Sequence, residues 1–341
     1  MTEMSPKQRF EAAMKLEGVD RVSCACPLQT GTLALMEASG AYWPEAHKDP
    51  AKMAKLALAA YEVAGIESAR VPFHVDYESE AMGCVLGEWV RESQPQKMEF
   101  AIKSLDDIAK LKVPDPHKDG KMPVVLEAVN ILSKKVGNKL PVIAAIAAPF
   151  EMAVRLGGLD EIMRGIINHP DELKKLMKIT TQTGIEYGKA LIESGASCIT
   201  LVDGSSNCDV IGAEFYTEFS QPYAKEVIGK LKSQTVLHLC GNAQPILKEL
   251  SATGATGISV DYVVDVAEAK KVFGKKTAVV GNVDPVGTLG AGTPEMVEKD
   301  ARVAIEKGTD VLTSGCGFPP QTPLENMKVL VRTAQKYGKR K

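Results

Sequence analysis

The chain has 341 residues, 41 Lys+Arg against 43 Asp+Glu, and 45% hydrophobic residues. That length holds one large α/β domain or two ordinary ones, and the balanced charge, with no basic stripe carrying interleaved aromatics, argues against a nucleic-acid partner. No apolar run approaches the roughly 20 residues that span a bilayer, so no membrane role is expected. Met1-Thr2-Glu3-Met4-Ser5-Pro6 has neither a basic nor an apolar leader region, so it does not read as a signal peptide. Seven scattered cysteines make no disulfide framework, and a reducing cytoplasm is the expected compartment.

Ser5-Pro6-Lys7-Gln8 predicts a helix start, with Ser5 as N-cap, Pro6 at the first helical position and Gln8 closing a capping box. After this N-terminal helical extension, eight apolar runs alternate with helical segments: Val22–Pro27, Ser68–Phe73, Pro141–Ala147, Ser197–Asp203, Thr235–Leu239, Gly257–Asp261, Thr277–Gly281 and Asp310–Thr313. They are rich in Val, Ile and Ala and lack clean polar alternation, as strands covered on both faces do. Amphipathic helices are predicted over Val124–Val136, Glu214–Lys232 and Pro294–Lys307, and Thr293-Pro294 and Thr322-Pro323-Leu324-Glu325 are further cap-plus-proline starts. Between the second and third runs, Cys84–Val90 and Gln96–Ile102 read as an inserted hairpin. Eight strands alternating with helices predict an α/β fold, a (β/α)₈ TIM barrel, with a doubly wound open sheet as the alternative. No linker divides the chain, so residues 1–341 are read as a single domain.

Barrel enzymes carry their chemistry at the carboxyl ends of the strands. Polar residues recur there: Gln29 and Thr30 after the first run, His74 and Asp76 after the second, Glu151 after the third, Asp203 closing the fourth. His238 and Cys240 end the fifth, Asp261 the sixth, Asn282 and Asp284 follow the seventh, and Cys316 follows the eighth. His238 and Cys240 are two apart on a strand and share a face. With Cys316 they form a His-Cys-Cys set that leaves one position of a tetrahedral zinc open for substrate, as a catalytic zinc requires. The alternative is two buried cysteines and a hydrogen-bonded core histidine. Asp261 reads either as a fourth, displaceable ligand or as a helix cap. Zinc with two cysteines suits activation of a substrate thiol, since the metal deprotonates it and the paired thiolates cancel the metal charge.

His238-Leu239-Cys240-Gly241-Asn242, Gly281-Asn282-Val283-Asp284-Pro285 and Ser314-Gly315-Cys316-Gly317 with Thr322-Pro323-Leu324-Glu325-Asn326 resemble the methylcobamide:coenzyme M methyltransferases of the uroporphyrinogen decarboxylase superfamily. Gln29-Thr30-Gly31, Gly40–Ala46 and Glu80–Cys84 extend that resemblance nearly end to end. It implies a zinc enzyme of methylotrophic methanogenesis. A methyl group moves from a methyl-Co(III) corrinoid, supplied by a partner protein, to the thiol of coenzyme M. On the same basis His238, Cys240 and Cys316 match zinc ligands, with Asp261 able to close the shell. Gln29, Thr30, His74, Asp203 and Asn282 are candidate substrate contacts. A relative that methylates homocysteine or another thiol is the rival. Porphyrinogen decarboxylation is disfavoured, because Cys24–Gly31 holds no arginine where those decarboxylases carry an arginine-rich motif. A non-enzymatic zinc-binding or corrinoid-docking module would require a missing ligand, and none is missing.

Other signals are set aside. Asp115-x-His117-x-x-Gly120 matches the loop by which corrinoid proteins offer histidine to cobalt, but it lies in a proline-rich loop. Cys24 and Cys26 read as packing in a barrel strand, Cys84, Cys198 and Cys208 as structural, and Met152 and Met163 as core. His47 and His169 are expected to be solvated, as is the tail Lys339-Arg340-Lys341.

Overall fold

A computed structural model describes residues 3–340 apart from Trp89 and Gln94. Trp89 of the inserted hairpin and Lys341 of the tail lie outside the described residues. The regular strands in chain order are β1 (Ala69–Val71), β2 (Val85–Leu86), β3 (Lys97–Glu99), β4 (Val142–Ala147), β5 (Cys198–Asp203), β6 (Gln234–Leu239), β7 (Gly257–Val260) and β8 (Ala278–Val280). Six of them form one parallel sheet in the order β1-β4-β5-β6-β7-β8, while β2 and β3 pair antiparallel as the inserted hairpin.

The first and last predicted strands differ from expectation, forming isolated bridges instead of regular ladders. Ser23 pairs with Val311, and Val311 with Val280, so the two runs fill the gap between β8 and β1. The reason is that side chains replace ladder partners along the first run. The Cys24 N–H donates to Glu67 Oε2 at 2.9 Å and the Cys26 N–H to Ser68 Oγ at 3.0 Å. Pro27 has no N–H to offer. The cylinder still closes: Leu312 N donates to Ser23 O at 2.8 Å and Glu67 N to Cys24 O at 2.8 Å. The barrel reading therefore stands, and the open-sheet alternative falls.

Strand alternation sorts the side chains. Ile199, Leu201, Leu237 and Leu239 join the large core shared with the surrounding helices. Ile143, Cys198, Val236, Ala278, Val280 and Val311 point into the lumen, where Phe10 and Met14 of the N-terminal helix (Pro6–Met14) meet them. That helix, started by the predicted Ser5 capping box, plugs the amino-terminal end of the barrel. It is held there by Arg9, which bonds Glu67 at 2.6 Å and Asp20 at 2.7 Å.

The predicted helix Glu214–Lys232 is broken into Gly212–Phe215, a π-turn at Tyr216–Ser220 and Gln221–Lys230. Pro222 lacks an N–H, so the regular i to i−4 ladder cannot run through it, and the chain widens there. The helix Pro294–Glu306 has its Thr293 cap as predicted, whereas the last helix, Leu324–Tyr337, is preceded by Pro323 with no side-chain cap bond. No described helix is long and apolar enough to cross a membrane.

Candidate metal and substrate site

The lumen face of β6 reads Val236-His238, and Cys240 continues it one step past the strand. Cys240 N donates to Asp203 O at 2.9 Å, which extends the pairing with β5. Gly241 then turns the chain with φ of +84°, a conformation that suits glycine. Cys316 arrives from the other side, in the loop after the last barrel run. Gly315 lets that loop pass against Asp261 and Tyr262, since a Cβ there would lie 2.5 Å from Tyr262 N.

The three ligand atoms of His238, Cys240 and Cys316 lie within 4.8 Å of one another. The two sulfurs are 3.8 Å apart, too far for a disulfide. Two sulfurs bound tetrahedrally at roughly 2.3 Å from zinc stand about 3.8 Å apart. His238 Nδ1 meets Ser259 Oγ at 3.1 Å across the β6–β7 register, which fixes the ring. Its Nε2 is buried with no hydrogen-bond partner among the described residues. An orphaned imidazole nitrogen beside two close sulfurs is a donor set that fits zinc, with Ser259 as the orienting partner.

Electrostatics within the trio are coupled. The hydrogen bond from Cys240 is the main influence that lowers Cys316, helped by His238, and it brings the Cys316 thiol down to about 4. The same bond, then burial, pushes Cys240 up. Burial alone would depress His238, but Cys316 and Asp261 outweigh it and raise the imidazole. Without metal the sulfurs thus share one negative charge, and a divalent ion would recruit both as thiolates.

Asp261 stands beside this trio. Its Oδ2 accepts from Gly241 N at 2.9 Å and lies 3.4 Å from Cys240 Sγ. The helix-cap alternative fails, because the following helix, Val266–Phe273, is capped by Asp265.

A cavity of about 520 Å³ opens above Cys316 and His238, lined by Leu28, Gln29, Phe73, His74, Val202 and Phe318 among others. Two of the five candidate substrate contacts, Gln29 and His74, face it. Gln29 is occupied internally: its amide donates to Gly31 O and Phe318 O, at 3.1 and 2.6 Å. His74 stacks on Tyr77 with centroids 4.4 Å apart, and burial pushes its imidazole down to about 3, so it is neutral. Thr30 is buried and does not line the cavity.

Asp203 lies behind the wall, accepting from Ser206 Oγ at 2.6 Å and Ser220 Oγ at 3.2 Å, and burial followed by Glu151 pushes it up to about 6. The Asn282 amide donates to Asp261 O at 2.9 Å and Val264 O at 2.8 Å, so it holds the loop under Asp261 instead of facing substrate. His47, expected to be solvated, is fully buried between Trp43 and His74, with centroids at 4.8 and 4.9 Å. Its loop packs under the mouth because Tyr77 Oη donates to His47 O at 2.9 Å.

Sequence reasoning missed Ser259, Arg70 and Arg155. Arg70 had a usable signal, since it is the one charge inside the apolar run Ser68–Phe73. Unlike His47, the other two histidines set aside and the Cys24/Cys26 pair lie as expected. His117 is exposed in a turn, with its N–H on Asp115 Oδ1 at 3.0 Å, His169 is exposed, and Cys24 and Cys26 are buried in the wall.

The family model described as uroporphyrinogen decarboxylase (URO-D) matches residues 5–337. A Methanosarcina mazei protein named methylcobamide:CoM methyltransferase MtbA is 39% identical over 340 residues, covering 99% of each chain. A second protein of that organism, named methylated-thiol–coenzyme M methyltransferase, is 34% identical over 98% of this chain and 90% of its own. A solved methyltransferase from Methanosarcina mazei superposes with a TM-score of 0.94 at 36% identity, covering 98% of this chain and 99% of that one. The chain is thus an enzyme of the uroporphyrinogen decarboxylase family and belongs to its methylcobamide:coenzyme M methyltransferases, a branch of methyl-transferring enzymes.

Proposed function

We propose that this enzyme moves a methyl group from a methyl-Co(III) corrinoid, presented by a partner protein, to the thiol of coenzyme M at a zinc ion held by His238, Cys240 and Cys316. The names of its full-length relatives support transfer from a corrinoid to coenzyme M. The observation that carries the zinc assignment is the orphaned His238 Nε2 beside two sulfurs 3.8 Å apart at the floor of the cavity.

Bound there, zinc supplies a Lewis acid that keeps a substrate thiol deprotonated at neutral pH. Cys240 and Cys316 contribute two negative charges and His238 none, so the donor set balances a divalent ion and leaves the substrate sulfur electron-rich. Ser259 holds the imidazole in its binding orientation. Leu28, Phe73, Val202 and Phe318 give the cavity apolar walls, which thin out the water that would solvate and blunt a thiolate. The substrate thiolate forms its S–C bond as the C–Co bond breaks, and that electron pair stays on the corrinoid, which departs as Co(I). The corrinoid ring therefore has to reach the barrel mouth from outside.

Asp261 is assigned as a displaceable neighbour of the metal. Asp261→Ala is expected to keep about one zinc per chain with affinity weakened roughly 10- to 100-fold, as for other residues that support ligands. A variant that purifies metal-free would make Asp261 an obligatory ligand.

The test of the whole reading is anaerobic demethylation of free methylcobalamin, followed by its visible spectrum. Turnover with coenzyme M that a zinc chelator abolishes is the expected result. Turnover with homocysteine in its place would move the enzyme to another acceptor. Zinc-loaded enzyme inert with both thiols, even with a methylated corrinoid protein supplied, would end the methyl-transfer assignment.

A further inference from the structure

We infer that the tip of the inserted hairpin is a latched strap over the cavity, which opens to admit the corrinoid-bearing partner and closes over the thiol; the inference rests on the methyl-transfer reading above. The hairpin of β2 and β3 leaves the barrel between β1 and β4, and its tip returns to the mouth. Glu92 and Ser93 of that tip line the same cavity as His238 and Cys316. The Arg91 guanidinium bonds Glu37 on the helix Leu33–Ser39 and lies 4.2 Å from the centre of the Tyr42 ring. Tyr42 Oη donates to the same carboxylate at 2.9 Å. Gln321, in the loop after the last barrel run, donates its amide to Glu92 O at 3.3 Å. The tip is therefore tied to the loops that follow the first and last runs.

Root and tip are built differently. At the root, Lys97 Nζ meets Asp76 at 3.0 Å and donates to Arg155 O at 2.7 Å, and the side chains of the pair are 14% and 9% exposed. At the tip, the Arg91 and Glu37 side chains are 38% and 63% exposed. An ion pair open to water favours the closed arrangement by only about two- to five-fold, and salt weakens it further. Glu92, Ser93 and Gln321 are also the exposed members of the cavity lining, whereas Leu28, Phe73, His238 and Phe318 are buried. The roof can lift at the latch while the root and the wall stay in place.

Two demands of the reaction meet at this roof. A thiolate stays reactive when water is thinned out around it, which a strap over a cavity of about 520 Å³ favours. A corrin ring carried by a protein is far larger than that cavity and has to approach the substrate sulfur from outside, so the strap has to move away. Weak, exposed contacts at the moving end and buried ones at the root suit an element that opens in every cycle.

The test compares zinc-loaded wild type, Glu37→Gln and Arg91→Met, with coenzyme M as acceptor and methylcobalamin as donor. At low ionic strength kcat/KM for the donor is expected to rise about two- to five-fold in either variant, the size of the lost ion pair. The difference should vanish near 1 M salt, where the Debye length falls to about 3 Å, and zinc content should not change. Hydrogen exchange at residues 91–93, read by mass spectrometry without donor or thiol, is independent of turnover. It should quicken by a similar factor in both variants while exchange at Lys97–Glu99 stays the same. If wild type fails to demethylate methylcobalamin yet shows this salt-sensitive exchange, the reaction assignment fails and the latched strap survives. Unchanged donor kcat/KM in both variants despite faster exchange would overturn the gate, as would exchange at residues 91–93 that ignores both substitutions.

Discussion

Cys316→Ala is expected to lose stoichiometric zinc and methyl transfer together while the barrel stays folded. Cys316 supplies one of three donors in the cluster, and with it gone His238 and Cys240 remain with only the displaceable Asp261 beside them, too weak a set to hold a catalytic ion firmly. A metal that contributes several kcal/mol of charge stabilisation, at about 1.4 kcal/mol per tenfold in rate, takes at least roughly 10³-fold of activity with it. The cost to folding is small, on the order of 1 kcal/mol, since the side chain is half-buried in a loop at the mouth and not in the core. Metal analysis, turnover and the far-ultraviolet circular dichroism of the same sample decide the matter. Full zinc in the variant would remove Cys316 from the site, and full activity without zinc would remove zinc from the reaction.

Arg9→Met is expected to produce the largest loss of stability among single substitutions at charged positions, with no direct effect on chemistry. Arg9 is 1% exposed and bonds Asp20, Glu67 and Met4 O at the bottom of the barrel. Removing one partner of a buried ionic network leaves the others uncompensated, at about 3 to 5 kcal/mol. At roughly 2.1 cal/mol/K of unfolding entropy per residue, a loss of about 3 kcal/mol in this chain lowers Tm by about 4 °C.

The acid dependence follows from Asp20, whose carboxyl the Arg9 hydrogen bond holds well below the usual range. That contribution is complete above the unfolded carboxylate value near 4 and is lost as pH falls toward the lower folded value. Wild type and variant should therefore converge in stability in acid and differ fully at neutral pH. A Tm difference below about 1 °C at pH 7 would mean that Arg21, which also bonds Glu67, carries the network alone.

The parts of this protein legible in the chain itself were those where residue type and local period determine the outcome. Runs such as Val142–Ala147 and Cys198–Asp203 became strands within a residue of expectation because apolar, two-faced burial has a clear signature. His238, Cys240 and Cys316 were legible because imidazole and thiol are rare, chemically particular groups, and strand alternation plus the barrel rule places them on one mouth. Tertiary packing alone decided which other polar groups reach that mouth. Asp203 and Asn282 sit at the correct strand ends, yet Ser206 and Ser220, or the backbone of Asp261 and Val264, satisfy them internally. His47 is buried by a loop that Tyr77 pins from 30 positions away. Arg70 was one charged letter in an apolar strand, and that its Nε is buried with no hydrogen-bond partner among the described residues is a property of every element facing it. A hydrogen bond or an uncompensated charge depends on what lies within a few ångströms across the fold, and spacing along the chain does not encode that distance.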